Sequence, residues 1–226
     1  NVPKVQKHII QQCNLKIKPV IVATQMLESM IDAKVATRAE VSDIANAIYD
    51  KCDSVMLSGE TAVGISPSNV VSFMANICKA SDQHLVSMKQ DIQMVRKKIF
   101  ETGTVDTSIC RAADQIAEEN NAKAILAFTS SGNTPLIASK IGSQLPIIAP
   151  TDSKHVCRRM SAYRGIIPMM MPKKFTDIHR WTDMINIAIK HAKDLKWLEK
   201  GDCVVVTAGI PIGISNGINS IRIVTV

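Results

Sequence analysis

The sequence predicts an α/β fold in two units, and three observations carry that prediction. Short apolar runs at 20–23, 54–57, 122–128 and 203–207 alternate with longer stretches whose apolar residues recur at helical spacing, the pattern of parallel strands joined by helices. Polar groups stand directly behind several of these runs: Thr24, Gln25 and Glu28 after the first, Ser58 and Glu60 after the second. At 226 residues the chain exceeds the ~150 that serve as a soft prior for one domain.

Residues 3–13 carry Val5, Ile9 and Ile10 with lysines between them, a helical stripe with a proline in its first turn. Residues 19–23 form the next strand. Thr37 stands three residues before Glu40, a capping box that opens an amphipathic helix to Tyr49. A second strand follows at 54–57, and Pro67 beside Ser66 or Ser68 opens a helix toward Lys79. This order resembles the last part of a (β/α)₈ barrel and holds two of its eight strands, both expected to be buried on both faces. Two strands cannot close a barrel, so unpaired edges and exposed apolar faces are expected unless another segment or chain covers them.

From 85 to 103 charges and long side chains take over without a turn-rich linker, and the boundary is placed near His84, giving units of 1–84 and 85–226. Beyond it, helices are predicted at 106–119, 132–139, 153–160 and 177–195, alternating with strands at 122–128, 145–149, 165–171, 203–207 and 221–226. That alternation predicts a doubly wound α/β unit, with a Gly-rich turn before the last strand.

Composition excludes several classes of function. The longest apolar runs, 165–172 and 202–210, fall far short of the roughly 20 residues of a spanning helix, so no membrane span is expected. The net charge of +7 is uneven: 85–226 carries 19 basic and 12 acidic residues, whereas 1–84 carries 8 of each. Such an excess suits phosphorylated small molecules, nucleic acid or an anionic surface, or simply a soluble basic face. Aromatics at 4% leave little material for base-stacking platforms, which argues against nucleic acid. Six cysteines without any Cys-x-x-Cys pair read as reduced residues of a cytoplasmic protein, and no metal site is expected.

Several residues have the chemistry to form sites. A hydroxyl at a strand end, Thr24, can bond a carboxylate substrate and a relay water, or merely cap the strand. Ser58 and Glu60 can form a hydroxyl and carboxylate pair for a water-mediated proton relay, or Glu60 can pair with a lysine. Arg38 and Glu40 can pair near that site, or bridge helices. In the second unit Thr129, Ser130, Ser131, Gly132, Asn133 and Thr134 follow a strand and open a helix, which makes either an anion cradle or an ordinary Ser/Thr-rich cap. Lys154, Arg158, Arg159 and Arg164 add positive charge, and the loop from Ala208 to Gly213 offers a flexible cover.

The runs Thr24-Gln25-Met26-Leu27-Glu28-Ser29-Met30, Thr37-Arg38-Ala39-Glu40 and Met56-Leu57-Ser58-Gly59-Glu60-Thr61 resemble pyruvate kinase in order and spacing, and the likeness extends over 3–226. The resemblance implies phosphoryl transfer from phosphoenolpyruvate to ADP, giving pyruvate and ATP. It implies that Thr24 contacts the substrate and assists proton delivery to the enolate carbon, with Ser58 and Glu60 beside it. Gln25 and Arg38 would lie in the substrate pocket or at a subunit contact. The loop from Thr129 to Thr134 would hold a phosphate of a sugar-phosphate or nucleotide effector, which shifts a homotetramer between states of differing substrate affinity. The family's magnesium and potassium ligands and its catalytic lysine lie on earlier strands, so none is expected in this chain, and the chain alone is expected to be inactive. Three departures stand out: Lys34 and Ala36 replace the usual prolines, Lys51 replaces a glycine that ends a helix, and the late loop lacks the tryptophan and arginine of fructose-1,6-bisphosphate-responsive animal forms.

Beginning at Asn1 without a leader, the sequence reads as an internal start, the carboxyl-terminal part of something longer. The alternative is a stand-alone regulatory module that binds a phosphorylated ligand through Thr129 to Thr134 and uses 1–79 as a docking surface.

Overall fold

A computed structural model describes residues 1–87, 103–210 and 217–226. The chain divides into two compact units, Asn1–Gln93 and Met94–Val226.

In the first unit, helix α1 (Val2–Leu15) carries Pro3 in its first turn and buries Ile10 and Asn14. Strand β1 (Ile21–Ala23), a short 3-10 turn (Glu28–Ile31) and helix α2 (Arg38–Tyr49) follow. Thr37 and Glu40 form the expected capping box at the start of α2. At its other end Lys51 takes φ 65, the left-handed cap that a glycine would fill more easily. The Asn14 amide reaches across to the Lys51 carbonyl at 3.2 Å and so ties α1 to this cap. Strand β2 (Ser54–Met56), the single turn α3 (Gly59–Ala62) and helix α4 (Pro67–Ser87) complete the unit, with α4 running on through His84.

β1 and β2 are parallel, with Ile21, Val22 and Ala23 opposite Ser54, Val55 and Met56. Val22 joins Leu27, Met30, Ile44, Ala47, Val70 and Met74 in a core on one face. Burial of these strands on both faces is not found: Ile21 is 53% exposed and Met56 43%. Two strands hold a core on one side only, and their open face continues into a cavity of about 430 Å³ between α1 and β1, lined by Val2, Val5, Ile9 and Ile21.

The second unit is a five-stranded sheet. Helix α5 (Val105–Glu119), β3 (Ala124–Ala127), α6 (Asn133–Ile141), β4 (Ile147–Thr151), α7 (Lys154–Met160), β5 (Ile166–Met170), α8 (Trp181–Asp194), β6 (Cys203–Ala208) and β7 (Ser220–Thr225) occur in that order. The strands lie in the order β5-β4-β3-β6-β7, parallel except for β7, which runs antiparallel to β6. Helices cover both faces: Leu126, Phe128, Val204 and Val206 pack with Met184, Ile185 and Ala188 of α8, whereas Ile125 and Val205 pack with Ala113 and Ala117 of α5. This is the doubly wound unit that alternation predicts. The long helix predicted at 177–195 starts later, at Trp181, after a separate 3-10 turn (Phe175–Asp177). Winding reverses between β3 and β6, and in open α/β sheets ligands bind outside the carboxyl ends of the strands at such a switch point. Of the predicted cover loop, residues 211–213 lie outside the described residues.

Candidate functional site

Two constellations stand at strand ends, one in each unit. In the first, β1 delivers Thr24 and Gln25 in left-handed conformations, φ 72 and φ 54, with both side chains exposed. Left-handed backbone at a β-branched residue followed by another non-glycine costs on the order of 1–3 kcal/mol per residue and persists only where neighbours dictate it. The Thr24 hydroxyl donates to the carbonyl of Ala23 at 2.5 Å. Since Ala23 pairs with Met56, Thr24 and Ser58 follow the ends of neighbouring strands, which run ~5 Å apart.

Glu60 is the buried centre of this site, 3% exposed. Its Oε1 accepts the Leu27 N–H at 3.1 Å and its Oε2 the Ser58 N–H at 2.8 Å. Burial acts to raise its pKa, but the backbone N–H groups of Ser58, Glu60, Leu27 and Met26 outweigh it and hold the carboxyl below its ordinary value. The contact to Ser58 runs through the backbone N–H; the Ser58 side chain is exposed at the strand end. A side chain at Gly64 would bring its Cβ to 2.2 Å from the Glu60 backbone carbonyl oxygen, so glycine lets the chain pass close to the backbone of the turn that carries Glu60.

Glu40 does not take Arg38 as its partner. It accepts the Ser29 N–H at 2.7 Å and the Ser29 hydroxyl at 2.6 Å, together with the Thr37 N–H at 2.8 Å and the Thr37 hydroxyl at 2.7 Å. Burial opposes its ionisation, yet these four donors, the Ser29 hydroxyl foremost, pull its pKa down to about 2. Arg38 is exposed on the first turn of α2.

The second constellation sits at the carboxyl end of β3, at the switch point. The Thr129 hydroxyl is buried and accepts the Gly132 N–H at 2.7 Å, so it shapes the loop from inside. Gly132 stands at φ 82, where a Cβ would meet Arg159 Nη2 at 3.2 Å and Val156 Cγ1 at 3.3 Å. Ser130, Ser131 and Asn133 are exposed, Thr134 is half-buried, and the Ser131 hydroxyl accepts the Asn133 N–H at 3.4 Å. Arg159, from α7, donates to the Ser131 carbonyl and brings a guanidinium to the rim. Beneath it, Cys110 Sγ donates to the Thr134 carbonyl at 3.7 Å; burial, with Asp106 and Asp114 nearby, pushes its thiol up to about 12, so it acts as a packed donor.

Both units match known families. Residues 1–71 match the family described as pyruvate kinase, barrel domain, and residues 107–224 the family described as pyruvate kinase, alpha/beta domain. The chain belongs to the pyruvate kinase family. It is 40% identical over 226 residues to a pyruvate kinase of Staphylococcus haemolyticus, covering 99% of this chain and 37% of that protein. To a pyruvate kinase of Thermotoga maritima it is 37% identical over 224 residues, covering 98% of this chain and 46% of that protein. A solved pyruvate kinase structure from Cryptosporidium parvum superposes with a TM-score of 0.83 at 34% identity, covering 97% of this chain and 42% of that one. The chain thus spans less than half the length of these pyruvate kinases.

Within this pyruvate kinase architecture, Thr24 and Gln25 follow β1 and Ser58 follows the paired β2, and Glu60 ties Leu27 to Ser58, whereas Arg38 stands on the helix that Glu40 caps. For two residues the sequence offers the group but not its contact. Glu40 was legible as half of a capping box, but nothing local marks its reach to Ser29; Arg159 was legible only as a basic residue near the loop. Among the described residues, no group of three or more His, Cys, Asp or Glu side chains gathers to hold a metal ion, and no helix is long and apolar enough to cross a membrane.

Proposed function

We infer that the chain is the carboxyl-terminal portion of a cytoplasmic pyruvate kinase, in which it supplies one side of the pocket that moves phosphoryl from phosphoenolpyruvate to ADP in glycolysis. The observation that supports this best is the pairing of two strand-end loops, after β1 and after β2, by the single carboxylate of Glu60. Thr24 offers an exposed hydroxyl at the position where a substrate carboxylate and the enolate carbon would lie. Ser58, from the loop after the paired strand, serves the proton relay, and Glu60 keeps both loops in register as an anion. Gln25 and Arg38 line the pocket or a contact between subunits of a homotetramer. The magnesium and potassium that the family implies would be held by earlier strands of the complete barrel.

The loop from Thr129 to Thr134 serves as a phosphate cradle for a sugar-phosphate or nucleotide effector. The Thr134 N–H at the start of α6, the exposed hydroxyls of Ser130 and Ser131, and Arg159 supply the donors. All of these groups belong to the second unit, which also favours a second reading, a stand-alone module that binds a phosphorylated ligand.

A coupled assay for pyruvate formation tests the first reading. The 226-residue chain alone is expected to show no turnover, and a polypeptide with the complete barrel to show turnover from phosphoenolpyruvate and ADP. Binding of fructose 1,6-bisphosphate by the isolated chain, with no turnover in the completed polypeptide, would favour the module.

A further inference from the structure

We propose that Glu40 is a positioning residue: it sets the loop that carries Thr24 and Gln25 against the start of α2, which carries Arg38. The proposal rests on the functional reading above, in which Thr24 meets the substrate.

A left-handed pair such as Thr24 and Gln25 must be held from both sides. Before it stands β1, laddered to β2 through Val22 and Ala23. After it, Met26 and Leu27 are buried and the Leu27 N–H is fixed on Glu60. The next anchor is Ser29, whose N–H and hydroxyl both end on Glu40. Glu40 cannot drift, because the Thr37 N–H and hydroxyl fasten the same carboxylate to the first turn of α2. Ser29 N–H binds one carboxylate oxygen and Thr37 N–H the other, so Glu40 fixes the distance between the strand-end loop and the helix of Arg38. Glutamine cannot replace it, since either orientation of the amide turns an NH₂ toward one of those two backbone N–H groups.

The test compares E40Q, S29A and T37A in the polypeptide with a complete barrel, reading kcat and KM for phosphoenolpyruvate well below each melting temperature, with amide hydrogen exchange at Ser29. T37A removes the helix cap but leaves Ser29 on Glu40. The expected result is a kcat for E40Q lower by roughly tenfold to a hundredfold, the scale of a misplacement near 1 Å, with faster exchange at Ser29. T37A is expected to melt earlier while keeping kcat within about twofold. A folded E40Q with unchanged kcat, or a T37A that loses as much kcat as E40Q, overturns the proposal. If E40Q does not fold, S29A decides: a lowered kcat supports positioning, an unchanged one overturns it. Absence of turnover in the unsubstituted polypeptide would instead defeat the functional reading, and the Ser29 exchange rates in E40Q and T37A would still report on the role of Glu40.

Discussion

Glu60 accepts the N–H of Leu27 at 3.1 Å across 33 residues of sequence, and through that one bond the loop after β1 is fastened to the loop after β2. With Ser58 N–H on its other oxygen, the carboxylate has both oxygens engaged by backbone donors and is 3% exposed. Removing it would leave the buried Leu27 N–H without its acceptor and free the Ser58 N–H at the exposed strand end.

E60A is therefore expected to destabilise the fold by about 3 kcal/mol, the scale for losing charge-assisted bonds and leaving one buried donor unmade. E60Q is expected to recover only part of this, because its amide presents an NH₂ to one of the two N–H groups. Urea unfolding of the two variants against the unsubstituted chain reads the difference. Equal stability of all three would show that water replaces the carboxylate.

Acid should act through the same pair of carboxylates. Glu40 and Glu60 have folded-state pKa values below the ordinary 4.5, with Glu40 at about 2, so their contribution is complete above the unfolded value and is lost as the pH falls through the folded one. The unsubstituted chain is expected to lose stability steeply between about pH 4.5 and about pH 2, and E40Q to show a shallower slope over that window. Denaturant midpoints measured at steps of pH check it.

Lys51 offers a gain. At φ 65 a lysine gives up about 1–2 kcal/mol, while glycine would give up roughly 0.5–1 kcal/mol of extra chain entropy. K51G is expected to stabilise the first unit by about 0.5–1 kcal/mol, seen as a higher urea midpoint with an unchanged slope.

Gly132 offers the reverse. An alanine there would combine a positive φ with crowding against Arg159, Val156 and Met160. G132A is expected to cost about 1–2 kcal/mol and to weaken binding of a phosphorylated ligand to the cradle by at least about tenfold, as measured by calorimetry with fructose 1,6-bisphosphate.

What the sequence disclosed follows from the range of the physics. Thr37 and Glu40 lie three residues apart, and that spacing alone dictates a capping box; the left-handed cap at Lys51 was expected only from the glycine that the resembled family carries there. Strand and helix alternation was equally local, so both units were foreseeable. The reach of Glu40 to Ser29, of Glu60 to Leu27 and of Arg159 to Ser131 spans 11, 33 and 28 residues, and no periodicity encodes such pairs. The 3-10 turn at Glu28–Ile31 and the single turn α3 were likewise hidden, since each is held by those distant contacts more than by its own propensity. Burial of β1 and β2 on both faces was expected because their apolar runs are continuous; two strands alone leave Ile21 and Met56 uncovered.

The most direct test of the central claim is the effect of T24V on pyruvate formation by the polypeptide with a complete barrel. Valine matches threonine in shape and keeps the β-branched backbone, but removes the hydroxyl. A kcat lower by about a hundredfold, with the melting temperature unchanged, is the expected result, on the scale of removing a positioned proton-transfer group. A T24V polypeptide that forms pyruvate at the unsubstituted rate would contradict the account.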